Sequence, residues 1–107
     1  MSCLTMRRIE ITAHAKQRFA ERMPDINPKD YSAVAQSARY RGKTKSQLLI
    51  SDPQFATALF KRFRGDNSTE IRVYKNHIFI FCGNKGHSRT LKTVVDIPQY
   101  ILALKNT

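Results

Sequence analysis

Acidic residues are scarce in this sequence: eight Asp and Glu stand against nineteen Lys and Arg, a formal net charge of +11. A chain so short of negative charge is suited to a polyanionic partner such as RNA, DNA or an acidic protein surface. The few carboxylates are also scattered rather than clustered, which argues against a two-metal nuclease. Cysteine is rarer still. Cys3 lies near the start and Cys82 inside an apolar run, so a disulfide framework is not expected and a reducing cytoplasm suits the chain. Mid-strand apolar surroundings make Cys82 a buried thiol rather than a nucleophile. Cys82 and His87 have no second Cys or His pair at ligand spacing, so no zinc pattern is present. Glycine is sparse and forms no phosphate-cradling loop. No metal or other cofactor is therefore expected. No apolar run approaches the ~18 residues of a membrane span. The opening MSCLTMRR lacks the apolar core of a signal peptide, so an unprocessed, membrane-free protein is expected.

What is present fits one domain, residues 1–107, long enough to bury a core without disulfides. Ile9 to Ile11 reads as a short strand or lead-in, and Thr12 as the N-cap of a first helix that stops near Met23-Pro24. Asp25 to Pro28 reads as a turn, with Asn27 capping a second helix and Pro28 at its first position. That helix carries Tyr31, Val34, Ala35 and Ala38 on one side and runs out at Gly42. Arg39, Arg41, Lys43 and Lys45 follow each other closely without an acid among them, and a mobile basic loop is expected there. Ser46 to Ser51 reads as a strand or a short helix. A third helix starts at Pro53, capped by Ser51 or Asp52, with Phe55, Leu59, Phe60 and Phe63 inward.

After a loop over residues 64–68 the pattern changes from helical spacing to alternation. Ile71 and Val73 alternate with Arg72 and Tyr74, Lys75-Asn76 reads as a tight turn, and His77 to Gly83 forms a second strand rich in Ile and Phe. Asn84 to Ser88 is another turn, Arg89 to Ile97 a third strand, and Pro98 opens a short terminal helix. Helices first and strands later define an α+β domain, with N-terminal helices packed on a C-terminal antiparallel sheet of three or more strands.

The chemistry-bearing residues fall into two groups. On the first helix His14, Arg18 and Arg22 stand at i, i+4 and i+8, one stripe beside the apolar stripe Ala15, Phe19 and Met23. A histidine in the first helical turn, next to the positive end of the dipole, is kept neutral and able to accept a proton. Guanidinium groups match phosphate oxygens. Taken alone, a surface histidine and solvated arginines are the commoner reading of such a stripe. The second group is His77, Lys85, His87, Ser88, Arg89, Thr90, Lys92 and Thr93. Strict alternation puts Arg89, Leu91 and Thr93 on one face of the last strand and Thr90, Lys92 and Val94 on the other. Hydroxyls beside cations suit a pentacoordinate phosphorane, although threonines in strands are more often structural.

The run Ile-Thr-x-His14-Ala-x-x-Arg18-Phe-x-x-Arg22, the later Arg-Gly-Lys, and the final strand Thr90-Leu-Lys-Thr93-Val-Val together resemble a small bacterial and phage family of the Barnase/EndoU/colicin/RelE nuclease fold. The resemblance covers the first helix and the last strands but not residues 47–63. It implies helices packed on a curved antiparallel sheet and a metal-independent endoribonuclease of the toxin type, a hydrolase-class activity in which the ribose 2′-hydroxyl attacks the adjacent phosphate. The matching positions are His14, Arg18 and Thr93, with Arg22 weaker. In that reading His14 transfers a proton, Arg18 and Arg89 hold the phosphate, and Thr93 donates a hydrogen bond. Arg22, Arg39, Arg41, Lys43, Lys45 and Lys92 bind the rest of the RNA, transfer or messenger.

Two other readings stand beside this one. Val34 to Leu49 can be drawn as a helix, a turn at Gly42 and a second short helix, the outline of a non-catalytic helix-turn-helix regulator. A basic face also serves an inhibitor or adaptor that docks on an acidic protein, or a toxin held by an antitoxin.

Overall fold

The computed structural model describes residues 9–63, 69–84 and 88–105. It is an α+β domain whose helices come first in the chain and whose strands come later. The elements are β1 (Glu10–Ile11), α1 (Ala13–Arg22), a 3-10 turn (Pro28–Asp30), α2 (Tyr31–Arg41), α3 (Lys45–Ser51), α4 (Pro53–Arg62), β2 (Thr69–Tyr74), β3 (His77–Asn84), β4 (Ser88–Asp96) and α5 (Gln99–Leu102). The loop expected over residues 64–68, the turn at 85–87 with Lys85 and His87, and Cys3 lie outside the described residues. No helix among the described residues is long and apolar enough to cross a membrane.

The sheet runs in the order β1-β4-β3-β2. Its three long strands form the expected antiparallel meander, and the two-residue β1 adds a parallel edge beside β4. Lys75 and Asn76 take positive φ of 50° and 62°, the pairing of a primed two-residue hairpin turn, achieved here without glycine. Tyr74 and His77 close that hairpin.

Helices cover both faces. On one side Phe19 of α1 and Tyr31, Ala35 and Ala38 of α2 pack on Phe79, Phe81, Leu91 and Val94. Phe19 is wholly buried, stacked on Tyr31 at 4.3 Å between ring centroids and edge-on to Phe79 at 5.9 Å. Burial of one such ring is worth ~1.5–3 kcal/mol. On the other side Leu48 of α3, Phe55, Ala56 and Leu59 of α4 and Ile101 of α5 pack on Val73, Ile78 and Ile97.

α1 forms where the sequence puts it. The Thr12 hydroxyl accepts from the Ala15 amide at 3.0 Å, alanines fill the first turns, and the chain leaves the helix at Met23 ahead of Pro24. Thr12 also fastens the helix start to β4, its amide donating to the Leu91 carbonyl and its hydroxyl to that of Lys92, both at 3.3 Å.

Two expectations need correction. Residues 39–45 are not a mobile loop. Arg39 and Arg41 complete α2, Gly42 caps it, and Lys43 exchanges two backbone hydrogen bonds with Val73, at 2.9 and 3.0 Å. Thr44 and Gln47 then close a capping box on α3, which settles residues 46–51 as helix. The strict alternation of β4 also fails. Ile80 pairs with Thr93 but Phe81 pairs with Leu91, so Lys92 is an extra residue in a β-bulge. Leu91 and Val94 consequently share the face under α1. Thr93, opposite Ile80, belongs to the face covered by α4.

Candidate nucleic-acid interface

The stripe on α1 is built as its spacing requires. His14 is exposed at the helix start, and its Nε2 accepts from Arg18 Nε at 3.4 Å. Arg18 also reaches forward to Glu21, Nη1 to Oε1 at 2.7 Å. The Arg18 hydrogen bond, then that of Gln17, hold the Glu21 carboxyl below the usual glutamate value. His14, Arg18 and Glu21 thus form one exposed ladder.

Arg22, at the far end of the same helix, does something else. Its Nη1 reaches Asp96 at 3.4 Å. Asp96 is also met by His77 Nε2 at 3.0 Å, and the same nitrogen lies 3.2 Å from the Arg22 carbonyl. His77 Nδ1 faces the Lys75 carbonyl at 2.8 Å. Both nitrogens of this ring are spent tying the hairpin turn to α1 and β4, a structural use. Eight residues of helix separate His14 from Arg22, about 12 Å at the α-helical rise, so the two histidines do not share a site.

Of the other residues singled out on β4, Lys92 is the exposed bulge residue beside the start of α1. Thr93 lies across the sheet from His14 and is not brought to it. Arg89 pairs through its backbone with Gly83, and its side chain lies outside the described residues.

The basic segment, by contrast, is gathered with partners from elsewhere. Arg41 and Lys43 line a cleft of about 410 Å³ together with Lys75 and Asn76 of the hairpin turn, Lys105, Tyr74, Ser51 and the buried Asp52. Four cations from three separate segments of the chain thus line one cleft together with a single buried carboxylate. Lys105 is steered inward by Asn76, whose Oδ1 it meets at 2.8 Å. Gly42 lets the end of α2 come close to β2: a Cβ there would come within 2.3 Å of the Ala38 carbonyl oxygen and 3.0 Å of Arg72 Cβ. Arg39 stands outside the cleft with its guanidinium 5.4 Å from the centroid of the exposed Tyr40 ring. Lys45 lies 5.9 Å from that of Phe60.

Sequence reasoning missed Lys75, Asn76 and Lys105. Lys75-Asn76 carried a turn signal, but nothing local marked Lys105 as their neighbour. Among the described residues no group of three or more His, Cys, Asp and Glu comes together in a way that could hold a metal ion. Comparison of the chain with protein-family models, with curated proteins and with solved structures finds no match.

Proposed function

We propose that this protein binds RNA, and that the cleft between the end of α2, the β2–β3 turn and Lys105 is where the phosphate backbone lies. The observation that carries this reading is the convergence of Arg41, Lys43, Lys75 and Lys105 on one concave surface. Like charges repel, and a fold that collects them from distant parts of the chain favours an anionic occupant. The resemblance to the Barnase/EndoU/colicin/RelE nuclease fold points to the same substrate class. Cys82, a free thiol that is half-buried rather than buried as expected, fits a protein working in the cytoplasm. A helix-turn-helix reader of duplex DNA is less well supported. α3 has seven residues, its amide side chain Gln47 is turned back onto the Thr44 amide at 2.9 Å, and its exposed face carries Leu49 and Ile50. Fluorescence anisotropy with a labelled RNA oligonucleotide at low ionic strength tests the proposal. Saturable binding is expected, and its absence overturns the reading.

A second reading, that the protein also cleaves RNA, is favoured by the exposed His14 with Arg18 on its lone pair. In that reaction Arg18 shifts from His14 and Glu21 to the phosphate, His14 removes the 2′-hydroxyl proton as the oxygen attacks phosphorus, and the bond from phosphorus to the 5′-oxygen breaks with that oxygen taking a proton from water. The products are a 2′,3′-cyclic phosphate and a 5′-hydroxyl end. His14→Ala should retain RNA affinity and lose cleavage by ~10²-fold or more. Cleavage equal in wild type and variant removes His14 from the mechanism.

A further inference from the structure

The backbone of the β2–β3 turn does not explain the residue at its second position. Lys75 and Asn76 hold φ of 50° and 62°, and the hairpin closes with Tyr74 opposite His77. Glycine is strongly preferred at the second position of such a primed turn, since it enters the left-handed region without steric cost. Asn76 stands there instead. Asparagine tolerates that region because its short side chain can bond to nearby backbone, but here the amide oxygen reaches farther. Its Oδ1 accepts from Lys105 Nζ, twenty-nine positions along the chain, at 2.8 Å.

Both residues line the cleft, together with Lys75, Arg41 and Lys43. Lys105 follows the last helix, and a lysine side chain has too many rotamers to stay in one place without a partner. Its Nζ also lies 5.8 Å from the centroid of the buried Phe55 ring, so two groups hold the ammonium at the cleft. An amide oxygen suits this task. It takes one of the three N–H groups and leaves the charge and two donors for a phosphate, whereas a carboxylate would hold the lysine and cancel its charge.

We infer that Asn76 is a positioning residue for RNA binding: it occupies a place where glycine would make the sturdier turn, and its side chain sets Lys105 on the phosphate track. This rests on the proposal that the cleft binds RNA.

The test is a double-mutant cycle read by RNA anisotropy against salt, with a thermal melt of every protein. Asn76→Gly keeps the turn and removes the oxygen, Lys105→Ala removes the charge, and the double variant does both. The Tm of Asn76→Gly should equal or exceed that of wild type. Its RNA affinity should nonetheless fall, with a salt slope shallower by up to ~0.7, the share of one phosphate contact. A contact of that slope which vanishes at 1 M salt is worth ~8-fold at 50 mM, the upper bound on the loss there. Lys105→Ala should cost at least as much, and the double variant no more than Lys105→Ala alone, the non-additivity of two residues that serve one contact. Wild-type affinity and slope in Asn76→Gly, or losses that add in the double variant, overturn the inference and leave RNA binding standing. So does a Tm for Asn76→Gly below that of wild type, since the asparagine then serves the turn itself. Absence of wild-type binding to RNA at low ionic strength overturns both.

Discussion

The salt dependence of RNA binding can be worked out from the cleft before it is measured. If each of Arg41, Lys43, Lys75 and Lys105 neutralises one phosphate of a single strand, the cleft contributes a slope of ~−2.8 to log K against log salt, from roughly 0.7 per contact. Between 50 and 200 mM salt that slope costs a factor of ~50 in affinity. The double variant Arg41→Ala, Lys43→Ala removes two of the four contacts. Its slope should become shallower by ~1.4, and affinity should be lost chiefly at low salt. The fold should survive, because Lys43 holds β2 through its backbone and not its side chain. The assay is an anisotropy titration at four or five salt concentrations for each protein. A wild-type slope near zero, or a variant slope equal to that of wild type, would refute the assignment of the cleft as the phosphate track.

Other expectations concern the ladder on α1 and the packing behind it. If the protein cleaves RNA, activity should persist in EDTA, and a substrate with a 2′-deoxy sugar at the scissile position should resist, both read by gel analysis of labelled products. Glu21 should titrate below its usual value of 4.5 in a carboxyl NMR experiment, and Arg18→Ala should bring it back up. Because the folded-state value is the lowered one, any stability this contact supplies is present above the usual glutamate range. It is lost as pH falls through the folded-state value, and Glu21→Gln should remove that dependence. Phe19→Ala should cost ~3–5 kcal/mol in urea denaturation, since it empties a ring-sized space between Tyr31 and Phe79. Gly42→Ala should cost ~1–3 kcal/mol in the same assay, because the added carbon meets the Ala38 carbonyl.

Those packing effects trace back to signals that were plain in the chain. Thr12 as a cap, the stripe Ala15, Phe19 and Met23, the stop before Pro24, Gly42 at the end of α2 and the turn at Lys75-Asn76 are each local, and each forms as its residues demand. The segment 39–45 was not legible in the same way. Four of its seven residues are cations, which reads as loop, yet its order comes from two backbone hydrogen bonds between Lys43 and Val73. Side-chain pattern does not encode a backbone bridge to a residue thirty positions away. The Thr44 to Gln47 spacing of a capping box was present in the sequence and was the one available sign that α3 begins there.

The candidate site was legible only in its local half, and β4 shows why. His14 and Arg18 meet because helix geometry places i and i+4 together. Bringing Thr93 to them required that β4 alternate without interruption, and alternation holds only while each residue has one partner. The bulge at Lys92 inserts a residue with none, so Leu91 and Val94 both serve the core under α1 and Thr93 turns to the opposite face. The bulge leaves Lys92 itself exposed at the start of α1, where its carbonyl holds the Thr12 hydroxyl. A lysine from outside α1 is thus brought beside the start of the His14 helix by an irregularity of the strand, which a period-two reading removes by construction.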